Sequence, residues 1–293
     1  MIDLHTHTNL SDGTADPAEL LNAAGQTGLR ALAITDHDTL AGFDAALPHA
    51  AGCGVELVCG IELSTQFRND DGGGARGPSM HVLGYFLRGI PDEEFRSWLV
   101  PISATRRSRN LELMEKLRAS NIDISWKDFP GLGPELAARS HFARVLVKKG
   151  CVPDLQSAFD LYLSDAVLAG IERKLPSTLE AVDQVRRQGG IASLAHPGRL
   201  RCRPSALRSF VDELIRGGLC AIEAYHSDHT PEETAAFLQI ASETGLLVTG
   251  GSDFHGENKP DIRLGSGRNG NVHVPDDVLD SMKNHATARI DPG

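Results

Sequence analysis

Nine side chains of metal-ligand type recur at intervals along this chain: His5, His7, Asp12, His37, Glu62, His81, His196, Asp253 and His255. Two arrive as close pairs, His5-x-His7 and Asp253-x-His255, and His37 is flanked by Asp36 and Asp38, one of which could orient its ring. A single tetrahedral ion cannot use nine donors. Imidazole and carboxylate without thiolate suit Zn²⁺, Mn²⁺ or Fe²⁺. Two or three such ions about 3.5–4 Å apart would share a bridging carboxylate and a bridging hydroxide. Glu62, the one glutamate of the set, is the natural bridge.

The elements needed to position these groups can be read from the pattern. Ile2, Leu4 and Thr6 alternate with Asp3, His5 and His7, which predicts a strand with both histidines on one face. Asp16-Pro17 opens a helix that stops at Gly28. Residues 29–35 and 55–63 read as buried strands with a helix over 40–51 between them. Residues 66–68 and 80–86 predict a hairpin around a glycine-rich tip, and the return strand carries His81. Strand signals nearly vanish over 91–174, where helices are expected at 92–99, 102–118, 134–149 and 155–163, an inserted all-helical subdomain. The rhythm returns with helices at 179–187, 204–216, 231–244 and 276–285 and strands at 191–195, 219–225 and 246–249. The parts are therefore 1–90 with 175–293, and 91–174.

Repeated strand-helix units imply a parallel sheet. Ligand-type residues fall at the C-terminal ends of strand after strand, the face on which a barrel builds its site. An open sheet would concentrate them at one switch point. A closed α/β barrel is the expected fold. Against this pattern His49 and His285 read as helix-surface residues and His273 as an ordinary strand residue.

Composition narrows the function further. The chain has 293 residues, 41% hydrophobic, with a net charge of −10, which disfavours a general surface for duplex DNA. An anionic small substrate is not excluded, because a carboxylate-rich metal site is acidic until its cations arrive. The five cysteines are scattered with no C-x-x-C pair, so buried free thiols are expected rather than a disulfide framework or a thiolate zinc site. No apolar run approaches the roughly 20 residues of a membrane span, and no basic leader precedes the first strand. A cytoplasmic protein without a membrane partner is expected.

The segments His5-Thr6-His7-Thr8 with Ser11-Asp12-Gly13, Thr35-Asp36-His37-Asp38, Gly60-Ile61-Glu62-Leu63-Ser64, His81-Val82-Leu83-Gly84, Ala195-His196-Pro197-Gly198 and Ser252-Asp253-Phe254-His255 together resemble the motifs of the PHP (polymerase and histidinol phosphatase) phosphoesterases. The likeness runs from residue 1 to about 257, interrupted by the helical segment, and is strongest to stand-alone nucleoside 3′,5′-bisphosphate phosphatases, some of which act as 5′-to-3′ exonucleases on short RNA. It implies a distorted (β/α)₇ TIM-like barrel with an inserted helical subdomain that caps the substrate. It also implies two or three divalent ions, with Mn²⁺ favoured over Zn²⁺ or Fe²⁺. Carried over by motif, His5, His7, Glu62 and Asp253 would hold one ion, Asp12, His37 and His255 a second, and Glu62, His81 and His196 a third. Many relatives have histidine where Asp12 stands, and a carboxylate there favours Mn²⁺.

The expected reaction removes the 3′-phosphate of a nucleoside 3′,5′-bisphosphate by the ion-generated hydroxide, without a serine or cysteine nucleophile. His229 is the candidate acid for the leaving group. Arg199, Arg139 and His141 are the candidate contacts to the second phosphate, since guanidinium pairs bidentately with phosphate. Arg106, Arg107 and Arg109 read as a solvated helix face. Around Arg173-Lys174-Leu175-Pro176 the chain departs from these relatives. A histidinol-phosphate-type phosphatase and a non-catalytic metal-stabilised interaction module are the alternatives. Against the module stands the presence of all nine ligand types.

Overall fold

The computed structural model of the chain describes residues 1–67, 79–129, 132–164, 167–168, 171 and 175–288. Two compact units result, Met1–Ser97 with Pro176–Gly293, and Trp98–Leu175.

In the first unit seven strands form one sheet in sequence order: β1 (Ile2–Thr6), β2 (Ala31–Ile34), β3 (Glu56–Gln66), β4 (Ser79–Phe86), β5 (Ile191–Leu194), β6 (Ala221–His226) and β7 (Leu247–Gly251). Neighbours are parallel except at β4, which runs antiparallel to both β3 and β5. The hairpin expected there is present, and its glycine-rich tip lies outside the described residues. Because β4 is reversed, His81 near its start lies at the same sheet edge as groups at the ends of the parallel strands. The first and last strands meet. The His7 N–H donates to the Phe254 carbonyl at 2.9 Å and the Asp253 N–H to the His5 carbonyl at 2.8 Å, giving a nearly closed, distorted α/β barrel.

Asp3 holds that seam. It is fully buried and accepts the Ser252 N–H (2.8 Å), the Ser252 hydroxyl (2.6 Å) and the Gly265 N–H (2.8 Å). A side chain at Gly251 would collide with the His5 backbone, so glycine lets β7 approach β1.

Helix α1 (Pro17–Gln26) starts as expected, with the Asp16 carboxylate accepting the Ala18 N–H at 2.9 Å. It covers β2 through Leu20, Leu21 and Ala24 packed on Leu32 and Ile34. The next helix, α2 (Ala41–Ala46), is shorter than the pattern suggests and gives way to a 3₁₀ segment, Leu47–Gly52. Inside the barrel Ile2, Leu4, Ala31, Ala33, Val58 and Leu83 form the core.

Helix α3 (Glu93–Ala119) is continuous where two helices are expected. Pro101 lies within it, and a proline removes one hydrogen bond without having to end a helix. Phe95 in its first turn stacks edge-on against Phe86, with centroids 5.4 Å apart, so the unit boundary falls after Ser97 rather than at residue 91. In the second unit the rest of α3, α4 (Arg139–Lys148) and the short α5 (Leu155–Ala158) enclose a separate core of Leu113, Leu117, Phe129, Phe142 and Leu146. Arg106 and Arg109 are buried, not solvated. Arg109 donates to Asn110 Oδ1 at 2.8 Å, and the amide of Asn110 in turn donates to the Pro134 and Ala137 carbonyls. Here the pattern misleads because backbone carbonyls of the following loop supply the acceptors. Arg173 and Lys174 lie outside the described residues.

The chain returns to the first unit through α6 (Thr178–Arg187), α7 (Pro204–Arg216), α8 (Pro231–Thr244) and α9 (Asp276–Ala288), with a small hairpin of β8 (Ile262–Arg263) and β9 (Gly267–Arg268). Of the five cysteines only Cys59 is buried, and Cys151 is exposed, so the expectation of mostly buried thiols fails. Among the described residues no helix is long and apolar enough to cross a membrane.

Candidate metal centre

Strict alternation would put His5 and His7 opposite Ile2 and Leu4. A bulge in β1 between Asp3 and Thr6 shifts the pleat by one residue. Ile2 and Leu4 can then fill the core while both histidines join the pocket.

The nine expected ligands converge. Glu62, 1% exposed, lies at their centre. Its Oε2 is 3.2 Å from His5 Nε2, 3.2 Å from His7 Nε2 and 3.4 Å from His37 Nδ1. Its Oε1 is 2.6 Å from His81 Nδ1 and 2.8 Å from His196 Nε2. The two oxygens thus face separate sets of imidazoles, the arrangement a bridging carboxylate requires. Asp253 Oδ1 lies 3.3 Å from His7 Nε2 and 3.6 Å from His5 Nε2. Asp12 lies 3.2 Å from His255 Nε2, 3.4 Å from His7 Nδ1 and 3.6 Å from His37 Nε2. Asp36 holds the loop after β1, accepting the Thr8 N–H (2.7 Å) and hydroxyl (2.6 Å), and Asp38 accepts the Ser64 N–H (2.7 Å). His196 and Asp253 both take positive φ, +28° and +58°, as sharp turns after a strand allow.

These residues fit divalent ions. Both nitrogens of His7 and Oδ1 of Asp12 are buried with no well-formed hydrogen bond, a costly state unless another partner is intended. Donor atoms of His7, Asp12, His37 and His255, of His5, His7 and Glu62, and of His37, Glu62 and His81 are grouped closely enough to hold an ion.

The electrostatics agree. Burial would raise the carboxyl of Glu62, but His37, His81 and His5 hold it well below the usual range. Lys259 and Arg199 do the same for buried Asp253, and His255 and His37 for buried Asp12. His196 is pushed down to about 3 by burial and by Arg199, which leaves its ring neutral. His7 goes the other way: burial lowers it, yet Asp253, Glu62 and Asp12 raise it to about 9.

Two residues of β6 were not expected here. Glu223, fully buried, accepts the His5 Nδ1–H at 2.8 Å and the His196 backbone N–H at 2.6 Å. Despite burial, His5 and His226 keep it ionised down to about pH 2. His226, 2% exposed, places Nε2 3.3 Å from Asp253 Oδ2. A bulge between Glu223 and Tyr225 turns both toward the pocket, although their spacing in a regular strand would separate them. One signal was available: a single glutamate in an apolar strand needs a buried partner. Glu223→Gln is expected to weaken Mn²⁺ binding by about 10–100-fold, the usual cost of losing the group that orients a ligand imidazole. A Mn²⁺ titration with unchanged affinity would show that Glu223 does not orient His5.

Arg199 reaches the rim, donating to Asp228 at 2.6 Å and to Asp253 Oδ2 at 2.7 Å. Lys259, also unexpected, donates to the same Asp253 oxygen at 2.6 Å. His229 has both ring nitrogens engaged: Nδ1–H donates to the Ala224 carbonyl at 2.9 Å, and Nε2 accepts the Gly198 N–H at 3.3 Å. So placed, the ring ties the bulge of β6 to the loop after β5. Arg139 and His141 belong to the helical unit, where Arg139 donates to the Leu163 carbonyl at 3.2 Å and His141 Nδ1 accepts the Ala138 N–H at 2.9 Å.

The family model of the PHP domain matches residues 3–183. The chain belongs to the PHP domain family. Among relatives of this PHP protein, a 5′-3′ exoribonuclease of Haemophilus influenzae is 31% identical over 86% of the chain and 89% of its own length. A 3′,5′-nucleoside bisphosphate phosphatase of Chromobacterium violaceum is 30% identical over 89% of the chain and 90% of its own. In the crystal structure of a candidate metal-dependent phosphoesterase from Bifidobacterium adolescentis, the fold recurs with a TM-score of 0.79 and 31% identity, covering 96% of this chain and 94% of that one.

Proposed function

We propose that this PHP protein is a metal-dependent phosphomonoesterase that hydrolyses the 3′-phosphate of nucleoside 3′,5′-bisphosphates, leaving the 5′-monophosphate. The observation that carries the phosphoesterase reading is Glu62, whose two oxygens face different histidine sets in a buried pocket. Ions held by the nine residues would supply an activated water and neutralise phosphate charge. Histidine and carboxylate donors without thiolate support Mn²⁺, with Zn²⁺ and Fe²⁺ as the competitors. Around that pocket the chain's own residues divide the work. Glu223 orients His5 through its Nδ1–H. Arg199, 36% exposed at the rim, is a fixed cation for phosphate.

The substrate class is drawn from the bisphosphate phosphatase relative. The exoribonuclease relative supports short RNA as a second substrate of the same site. Arg139 and His141 are the contacts we propose from the helical unit.

The test is phosphate release from adenosine 3′,5′-bisphosphate, AMP, histidinol phosphate and a 5′-phosphorylated oligoribonucleotide, each with Mn²⁺. Preferential conversion of the bisphosphate to 5′-AMP is expected. Preference for histidinol phosphate would overturn the substrate class, and no turnover of any by Mn²⁺-loaded protein would overturn catalysis itself.

A further inference from the structure

One ring faces the cluster with a protonated nitrogen. His5, His226 and Asp253 place donor-type atoms close enough to hold an ion, so distance alone makes His226 a tenth ligand. Its hydrogen bonding says otherwise. His226 Nδ1 accepts the backbone N–H of Asp228 at 3.0 Å. A peptide N–H can only donate, so the lone pair is on Nδ1 and the neutral ring carries its proton on Nε2. A protonated nitrogen has no lone pair for a metal.

The ligand histidines beside it have the opposite arrangement. His5 donates Nδ1–H to Glu223 and His255 donates Nδ1–H to the Asp253 carbonyl, both at 2.8 Å, which leaves each Nε2 bare. Among the histidines of this cluster, His226 presents an N–H where these present a lone pair.

That N–H is buried and has no well-formed hydrogen bond. It points to the side of Asp253 where the Arg199 guanidinium (2.7 Å) and the Lys259 ammonium (2.6 Å) also arrive. Three donors therefore converge on one carboxylate oxygen, Asp253 Oδ2, more than it can satisfy with good geometry. An additional anionic oxygen at this edge would answer the surplus.

We propose that His226 is a fixed N–H donor to a phosphate oxygen and not a metal ligand, acting beside Arg199 and Lys259. The assignment rests on the phosphoesterase reading above and adds a substrate-positioning residue to it.

The test compares His226→Gln, which keeps a side-chain N–H, with His226→Leu, which does not, in the full chain. Bound Mn²⁺ per chain is counted by plasma mass spectrometry after dialysis, and orthophosphate binding to the Mn²⁺-loaded proteins is measured by calorimetry. Both variants are expected to keep the wild-type ion count. His226→Leu should bind phosphate about 10-fold more weakly, the loss expected for a hydrogen bond to a charged group, and His226→Gln should stay within about 3-fold of wild type. Loss of an ion from either variant would make His226 a ligand and overturn the proposal. So would wild-type phosphate affinity in His226→Leu. If that variant does not fold, the ion count and phosphate affinity of His226→Gln decide. Failure of the loaded wild-type protein to bind phosphate would instead remove the phosphoesterase reading on which the proposal stands.

Discussion

Glu62→Gln is expected to lower phosphate release by at least about 10-fold and to reduce the number of Mn²⁺ ions bound per chain. The lower bound follows from supporting groups, whose loss already costs about 10–100-fold; a carboxylate shared between sites costs no less. Glutamine has the same shape, so packing around this buried position survives. What changes is chemistry. One carboxylate oxygen becomes an NH₂ group, and it must face either His5, His7 and His37 or His81 and His196. Either set loses its shared anion and gains a donor where a metal should be. Turnover of the bisphosphate and ion counting on the same preparation check this together. Full ion content with activity within a few-fold of wild type would rule out Glu62 as the bridge.

Stripping the ions should also loosen the fold. An ion that binds only the native state at about 100 times its dissociation constant adds about 2.7 kcal/mol. For a domain of this size that corresponds to a melting temperature lower by about 5–10 °C after chelation, restored by added Mn²⁺. The difference should grow with pH, and the sign follows from His7. In the ion-free protein its pKa is raised to about 9 by Asp253, Glu62 and Asp12, against the lowering effect of burial. Its proton therefore stabilises the ion-free fold fully below the unfolded value of about 6.5, and that contribution is lost as pH rises through 9. Ion binding must expel the same proton, so ions bind more tightly over this window. Calorimetry with and without chelator across that range measures both effects. A melting temperature indifferent to chelation would mean that the cluster holds no ion tightly.

Most of the histidine and carboxylate cluster was legible because each member belongs to a short local motif. His5-x-His7 and Asp253-x-His255 sit at strand ends, and the alternation of apolar and polar residues marks those strands without reference to the rest of the fold. The strand-helix rhythm likewise implied parallel strands, and the recurrence of ligands at their ends implied closure. Helix starts such as Asp16-Pro17 are local chemistry too, a carboxylate next to free N–H groups.

What escaped the sequence depends on backbone irregularities and on distant partners. Glu223 and His226 both face the pocket only because β6 bulges, and His5 and His7 reach it past a similar bulge in β1. A period of two cannot reveal an inserted residue. His229 resembled a free acid in the chain, yet the Ala224 carbonyl and the Gly198 N–H occupy both its nitrogens. Arg109 resembled a surface cation, yet it is buried and paired to Asn110. The amino-acid sequence by itself determined which residue types are present, where strands end, and hence that a cluster of hard and borderline ligands would form at one face. Only the tertiary structure decided which nitrogen of His5 and of His226 carries a proton, because a tautomer is set by the hydrogen bond on the ring's other side, and that partner comes from the three-dimensional surroundings: Glu223 for His5, the Asp228 N–H for His226.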